Sequence, residues 1–235
     1  MQDEVTKHTQ KIYKAVKNPN QSVSEKIKET SVEIFIIVFA VTLSIWLHSC
    51  SEHKHEQAEV KLFLQNVHED LKKDIESLNL DKGEYIRTNK LYTFVADITA
   101  AQLDSLEKIN QTVSFPIHAP GQKINNGNYE GFKSSGKIGF IENEKLKQGL
   151  LSYYQKTVPN IIYVDNLYNT FLFKTFDIRA DNAGKTVKEI YLNPKLKATI
   201  NHVILIGENN IRLYDESGLK QAQELIDEID KTLKE

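Results

Sequence analysis

The chain has 235 residues, 30 of them basic and 32 acidic, for a formal net charge of −2. That balance, without a basic cluster on one face, excludes the electrostatic footprint of a nucleic-acid binder, and the single cysteine excludes an internal disulfide. Ten glycines and five prolines are few for this length, and abundant Lys, Glu, Leu and Ile favour helix throughout.

Residues 1–32 form an amino-terminal arm with Lys7, Lys11, Lys14, Lys17, Lys26 and Lys28 and no arginine. Val5, Ile12 and Val16 make a weak amphipathic stripe, which Asn18-Pro19-Asn20 interrupts. Residues 33–51 follow, and their centre from Ile34 to Leu47 is uncharged. Those residues make about 21 Å of helix, short of the roughly 30 Å of hydrocarbon in a bilayer. The uncharged His48, Ser49, Cys50 and Ser51 extend the segment to about 27 Å, and local thinning covers the rest. Ten residues in the run are Ile, Phe, Val or Leu. Together they favour insertion by about 3 to 6 kcal/mol. Thr42 and Ser44 can bond back to helix carbonyls, Trp46 sits near one end where an indole favours the interface, and Glu33 marks the other edge. The reading is a transmembrane helix.

Three alternatives stand beside it. A cleaved signal peptide fits poorly with a long leader carrying Asp3, Glu4, Glu25 and Glu29. A lipid-modified Cys50 after Leu47-His48-Ser49 meets the same objection, and His48 is a poor residue before such a cleavage site. The third is a core helix of a soluble protein. Lys17, Lys26 and Lys28 precede the span, whereas Lys54 and Lys61 after it are diluted by Glu52, Glu56 and Glu59. This bias predicts an amino terminus in the cytoplasm and residues 52–235 outside the cytoplasmic membrane.

Beyond Glu52 the spacing predicts long helices. Val60, Leu64, Val67, Leu71 and Leu78 alternate steps of four and three, with Asp74 breaking the seam and Phe63 and Ile75 widening it. Asp81-Lys82-Gly83 is expected to end this helix. A second, from about Glu84 to Leu106 with Leu91, Phe94, Val95 and Ile98 inward, would return antiparallel. An irregular insertion at about 110–140 holds the turn signals Pro116, Pro120-Gly121 and Asn126-Gly127. A third helix begins at Glu142 or Asn143, with Leu146, Leu150, Tyr153, Tyr154 and Val158 on one face. Pro159 kinks it, and Asn182-Ala183-Gly184 closes it. Asn193-Pro194 starts the last, with Leu196, Ile200, Val203, Gly207, Ile211 and Tyr214 inward, then Leu225 or Ile226, Ile229 and Leu233 after Ser217-Gly218. The expected architecture is all-α: one transmembrane helix continuing into an extramembrane up-and-down bundle of long helices.

Sites of chemistry are faint. Gly131-Phe-Lys-Ser-Ser-Gly136-Lys137 follows a phosphate-binding loop until Ile138 stands where Ser or Thr is needed, and no strand precedes it in the pattern. The bland reading is a glycine turn with Lys137 solvated. His55-Glu56 opens like a zinc-protease helix, but Glu59 occupies the second histidine's place. His48, His53, His55 and Glu52 crowd one edge of the span, as interfacial polar residues usually do, or as metal ligands shared between chains. Tyr153, Tyr154, Tyr163, Tyr168, Phe171, Phe173 and Phe176 read as core before they read as a ligand pocket. No catalytic, cofactor or metal residue is nominated.

Three stretches carry a family resemblance: Glu33 and its apolar run to Ser51-Glu52-His53-Lys54-His55-Glu56-Gln57; Phe63-Leu64 with Asp70-Leu71-Lys72-Lys73-Asp74; and Tyr129-Glu130-Gly131-Phe132-Lys133-Ser134-Ser135-Gly136-Lys137-Ile138-Gly139 with Ile141-Glu142-Asn143 and Tyr153-Tyr154. Over about residues 33–160 the chain resembles a family of uncharacterised single-pass membrane proteins of Gram-negative bacteria, a domain of unknown function. Similar members often have tryptophan where this chain has Cys50, which makes a lipid-attachment role for that cysteine look accidental. The resemblance implies a membrane anchor and a helical fold and carries no catalytic residues. The expectation is therefore a non-enzymatic membrane protein without cofactor, with a structural or interaction role. Its partners would be the bilayer, a second copy through the stalk helix and a further protein, and no nucleic acid. The alternative is an extracytoplasmic small-molecule sensor acting through a partner.

Overall fold

The longest helix is also the one that departs most from the expected boundaries. In the computed structural model, which describes residues 2–17, 22–113, 115, 119–120 and 124–234, helix α1 spans Gln2–Lys17 and α2 spans Val23–Asp97. The expected break at Asn18-Pro19-Asn20, the turn residues Pro116 and Gly121, and the side chains of Val5, Val16 and Lys26 lie outside the described residues. The chain divides into two compact units, Met1–Glu59 and Val60–Glu235, each described by itself below.

In the first unit, α2 contains a stretch long and apolar enough to cross a membrane, and only 6% of its most apolar 18-residue window is buried. Phe35 is 70% exposed and Trp46 is 61% exposed. A core helix of a soluble protein would be mostly covered by the rest of its chain. The Thr42 hydroxyl donates to the Val38 carbonyl at 2.8 Å, so the one threonine of the run is satisfied within its own helix. Glu33, at the edge of the run, is met by His8 and Lys11 of α1.

In the second unit, α2 buries Val60, Leu64, Val67, Leu71, Asp74, Leu78, Asp81, Tyr85, Thr88, Tyr92 and Val95, in unbroken alternation of four and three. The helix expected to stop at Asp81-Lys82-Gly83 therefore continues to Asp97. Gly83 lies off the seam, with nothing within 4 Å of where its Cβ would be. A mid-helix glycine costs about 1 kcal/mol against alanine. Burial of one large side chain contributes about 1.5–3 kcal/mol, so Tyr85, Tyr92 and Val95 outweigh it. Val95 and Ile98 are buried as expected, but Tyr92 stands inward in place of Leu91 and Phe94. Both of those expected core residues face outward, because the seam is carried through by tyrosines and a threonine rather than by the most apolar letters.

No hairpin follows. Thr99 opens α3 (Ala100–Lys108) with a capping box to Gln102. An irregular stretch then leads to α4 (Gly127–Ser134) and a 3-10 turn at Lys137–Phe140. Phe132 of α4 stacks on Phe63 at 3.9 Å, and Asn128 donates to Asp70 at 2.7 Å. The insertion has thus carried the chain back beside the first turns of this part of α2. Asn143 caps α5 (Glu144–Ser152), accepting from the Leu146 amide, as its position in the sequence suggests.

A π-helical turn at Tyr153–Thr157 joins α5 to α6 (Val158–Ala180). It falls just before Pro159, whose ring cannot be reconciled with a regular carbonyl at Gln155. Pro159 does not end the helix, as expected, and the π turn is the local distortion beside it. The wide turn also points the consecutive Tyr153 and Tyr154 both inward. After α7 (Val187–Tyr191), Asn193 and Pro194 start α8 (Pro194–Leu213) as expected. A second π turn, Tyr214–Leu219, joins it to α9 (Lys220–Thr232).

Side-chain contacts set the directions. Tyr85 meets Asp165 and Thr88 meets Tyr168, so α2 and α6 run parallel. Asn89 meets Ile204, Lys82 meets Asp215 and His68 meets Asp230, so α8 and α9 run back along both. The bundle is all-α, with the last two long helices going up and down and the first two joined by a crossover. The third-helix face is confirmed at Leu146, Leu150, Tyr153, Tyr154 and Val158. In the last helix Leu196, Ile200, Val203, Gly207 and Tyr214 are buried as expected, with Asn210 in place of Ile211.

Gly207 tests how tightly α8 meets α2. A Cβ there would stand 2.5 Å from Asn89 Oδ1 and 2.7 Å from its Nδ2, and Asn89 is held by a 3.2 Å bond to the Ile204 carbonyl. Gly207→Ala is expected to destabilise the detergent-solubilised chain by about 1–3 kcal/mol through overpacking, read as a lower urea midpoint. With Asn89→Ala already present, the same change should become neutral or stabilising through helix propensity.

Candidate functional site

The unusual chemistry of the second unit lies on the α2 seam. Asp74, Asp81 and Thr88 are buried and spaced seven residues apart, so each recurs on the same face after two turns. Polar residues at this spacing place three buried levels along one line of the core.

The central level is built around Asp165 on α6, a carboxylate that is 6% exposed. The Tyr85 hydroxyl donates to it at 2.7 Å from α2, and the Tyr214 hydroxyl at 2.8 Å from the π turn after α8. Asn210 of α8 donates its amide to the Tyr85 oxygen at 2.8 Å. Tyr85 also packs edge-on against Tyr168 and Tyr214. Three helices are therefore tied through one buried acid that hydroxyls and an amide bond. Burial pushes the Asp165 carboxyl up to about 6, the two tyrosine bonds oppose that rise, and the nearby Asp81 charge adds to it. Burial likewise drives the Tyr85 and Tyr214 hydroxyls far above their ordinary range, reinforced by the adjacent Asp165 charge.

One level away, Asp74 Oδ1 accepts from the backbone amide and the side-chain amide of Asn125, each at 2.8 Å. Burial raises this carboxyl too, against those two bonds. Its Oδ2 and the hydroxyls of Tyr153 and Tyr154 are buried without a hydrogen-bond partner among the described residues. At the third level the Thr88 hydroxyl bonds back to the Glu84 carbonyl at 2.8 Å and lies 3.5 Å from the Tyr168 hydroxyl. The arrangement can gain or lose a proton at Asp165 and so strengthen or weaken a tie between helices. It is sealed from solvent, which suits a structural element better than a substrate site.

The residues considered from sequence are placed elsewhere. Gly131 and Lys133 lie within α4, and Gly136, at φ 77°, closes that helix with its amide on the Lys133 carbonyl at 2.9 Å. The apparent phosphate loop is a helix carboxy-terminus. His48 pairs with Glu52 at 3.8 Å and His55 with Glu59 at 3.6 Å on exposed surface. No group of three or more potential metal ligands occurs among the described residues. Of the late aromatics, Tyr153, Tyr154 and Tyr168 are core, whereas Tyr163 and Phe173 are exposed. A cleft of about 450 Å³ opens between α3 and α7, lined by Leu103, Leu106, Val113 and Val187, with Lys188 at its edge.

A model of a family of unknown function, DUF6090, matches residues 33–210. The chain belongs to the DUF6090 family. The matched segment takes in the apolar run, Asp74, Asp81, Tyr85, Thr88, Asp165 and Asn210, and ends four residues before Tyr214. No curated protein and no solved structure matches the chain.

Tyr214 is legible in the sequence as an inward position, but Asp165, Tyr85 and Asn210 are not, because each is an ordinary polar letter in its own helix. The one signal was the repeat of polar residues at 74, 81 and 88 on an otherwise apolar seam. Its consequence is a reversed pH dependence. The unfolded carboxyl has the ordinary value near 3.8 and the folded one sits at about 6. Between those values the folded state binds more protons than the unfolded, so stability falls as pH rises through the window and levels off above it. The drop is on the order of 3 kcal/mol. Urea midpoints of the detergent-solubilised chain from about pH 4 to about pH 7 should show it, with Asp74, shifted the same way, adding to the slope. Asp165→Asn should flatten the Asp165 part, and an unchanged slope would contradict the assignment.

Proposed function

We propose that this DUF6090 member is a non-enzymatic single-pass membrane protein. Residues 33–51 cross the cytoplasmic membrane, the arm of residues 1–32 lies in the cytoplasm, and residues 52–235 form a helical domain on the periplasmic side. The observation that carries the reading is the exposed apolar run Ile34–Leu47 in a chain whose residues Val60–Glu235 pack as a unit of their own. Exposed apolar surface of that extent is costly in water and is at home in lipid. The domain's role is structural or interactive: an anchored scaffold that self-associates through α2 and holds a protein partner. Nucleic acid has no place in it, given the near-neutral charge.

The second reading, a sensor of a small metabolite acting through a partner, is favoured by the cleft between α3 and α7, which has the size and apolar lining of ligand sites. Stabilisation of the solubilised chain by a small metabolite in a thermal-shift screen would select it over the scaffold.

Two measurements test the anchor. Val38→Asp places a charge near the middle of the run at a cost of about 2.5–3.5 kcal/mol of insertion, and should shift protein from the membrane to the soluble or aggregated fraction. A reporter active only outside the cytoplasm, fused after Glu235, should be active. Full membrane integration of Val38→Asp would contradict the span, and activity of only a cytoplasmic reporter would contradict the orientation.

A further inference from the structure

Helix α1 (Gln2–Lys17) lies outside both the family-matched segment and the packed unit Val60–Glu235. Along it Lys7, Lys11, Lys14 and Lys17 step by four, three and three, and Val5, Thr9, Ile12 and Val16 step by four, three and four. At about 100° per residue this sequence pattern sets the two groups on opposite sides of a helical wheel. Gln2–Lys17 contains four lysines and two acids, Asp3 and Glu4. The structure ties α1 to the edge of the apolar run: His8 Nδ1 hydrogen-bonds Glu33, and Lys11 Nζ stands 3.6 Å from the same carboxylate. Tyr13 is exposed, with the Lys17 ammonium 4.5 Å above its ring.

A helix of this length is marginal in water unless its apolar stripe is covered. Its mooring at Glu33 puts it where the apolar run begins, and the surface found there in a membrane is the headgroup layer. An amphipathic helix with a lysine face is suited to lie in that layer, its stripe at the acyl boundary and its cations against anionic headgroups. His8 and Lys11 also answer the Glu33 charge that would otherwise repel such lipids. We propose that α1 is an interfacial helix that binds anionic phospholipid through Lys7, Lys14 and Lys17, with Lys11 held on Glu33. The inference rests on the reading that Ile34–Leu47 spans the bilayer. It adds a second, charge-dependent membrane contact.

The test uses the full chain with Cys50→Ser and Thr9→Cys, labelled at position 9 with an environment-sensitive fluorophore. It is reconstituted in phosphatidylcholine vesicles with or without phosphatidylglycerol. Trp46, the single tryptophan, reports the span independently through quenching by brominated lipid. The expected result is a blue shift and a several-fold rise in label emission in the phosphatidylglycerol vesicles. The change should be smaller in phosphatidylcholine alone and lost with Lys7→Gln, Lys14→Gln and Lys17→Gln combined. A label that stays water-like in phosphatidylglycerol while Trp46 is quenched overturns the inference and leaves the span standing. A label equally shielded in both vesicles, or unmoved by the lysine changes, overturns it in favour of packing on protein. An unquenched Trp46 overturns the spanning reading and this inference with it.

Discussion

Burial of one stripe on α2 holds the helical unit together. From Val60 to Val95 every position of that stripe is covered; α6 and α8 meet it at Tyr85, and α9 shares a core cluster with its Val60–Leu71 part. Among the α6 and α8 residues that meet it are Asp165, Tyr168 and Asn210. Apolar burial supplies the driving force, and it is indifferent to register. The hydrogen bonds at Asp165 are not: Tyr85, Tyr214 and Asn210 satisfy that carboxylate only when α2, α6 and α8 hold one alignment. A slip of one turn would leave a buried acid without donors, which costs far more than a lost apolar contact. This is the usual use of a buried polar residue in a helical seam, where specificity is gained and some stability is given up.

The two distortions of the long helices fall at neighbouring levels, one beside Asp74 and the other beside Asp165. The π turns at Tyr153–Thr157 and Tyr214–Leu219 flank α6 and α9, and Gly218 in the second lets Ile161 and Leu78 come within 3.0 and 3.3 Å of where its Cβ would be. The extra residue in each turn re-aims side chains: Tyr153 and Tyr154 both point inward, and Tyr214 reaches Asp165. The core accordingly falls into two clusters. One is built on Val60–Leu71 with α5 and α9, and the other on Leu78–Ile98 with α6 and α8. Asp74 stands at the boundary between them.

The sequence made the helical class, the Asn143 and Asn193-Pro194 helix starts, the distortion at Pro159 and the apolar run legible, because each depends on local chemistry or on a strong period. It misplaced the boundary at Gly83 because a glycine beside two charged residues looks like a stop, and only tertiary burial of Tyr85, Thr88 and Tyr92 shows that the helix goes on. Hydropathy likewise ranks Leu91 and Phe94 above Tyr92, whereas the seam is set by angle. Asp165 and Asn210 were invisible as a pair, since they are 45 residues apart and meet only when two antiparallel helices are docked. The parallel course of α2 and α6 depends on the crossover through α4, whose contacts to Phe63 and Asp70 no local pattern announces.

Lipid cover over Ile34–Leu47 can be measured by cysteine accessibility in intact cells, with single cysteines at Ser24, Val38 and Glu56 in a Cys50→Ser background and a membrane-impermeant maleimide. If lipid covers the run, position 56 is labelled in intact cells, position 24 only after the membrane is opened, and position 38 in neither condition. Ready labelling at position 38 in both the intact and opened states, or labelling of 24 and 56 from the same side, would contradict it.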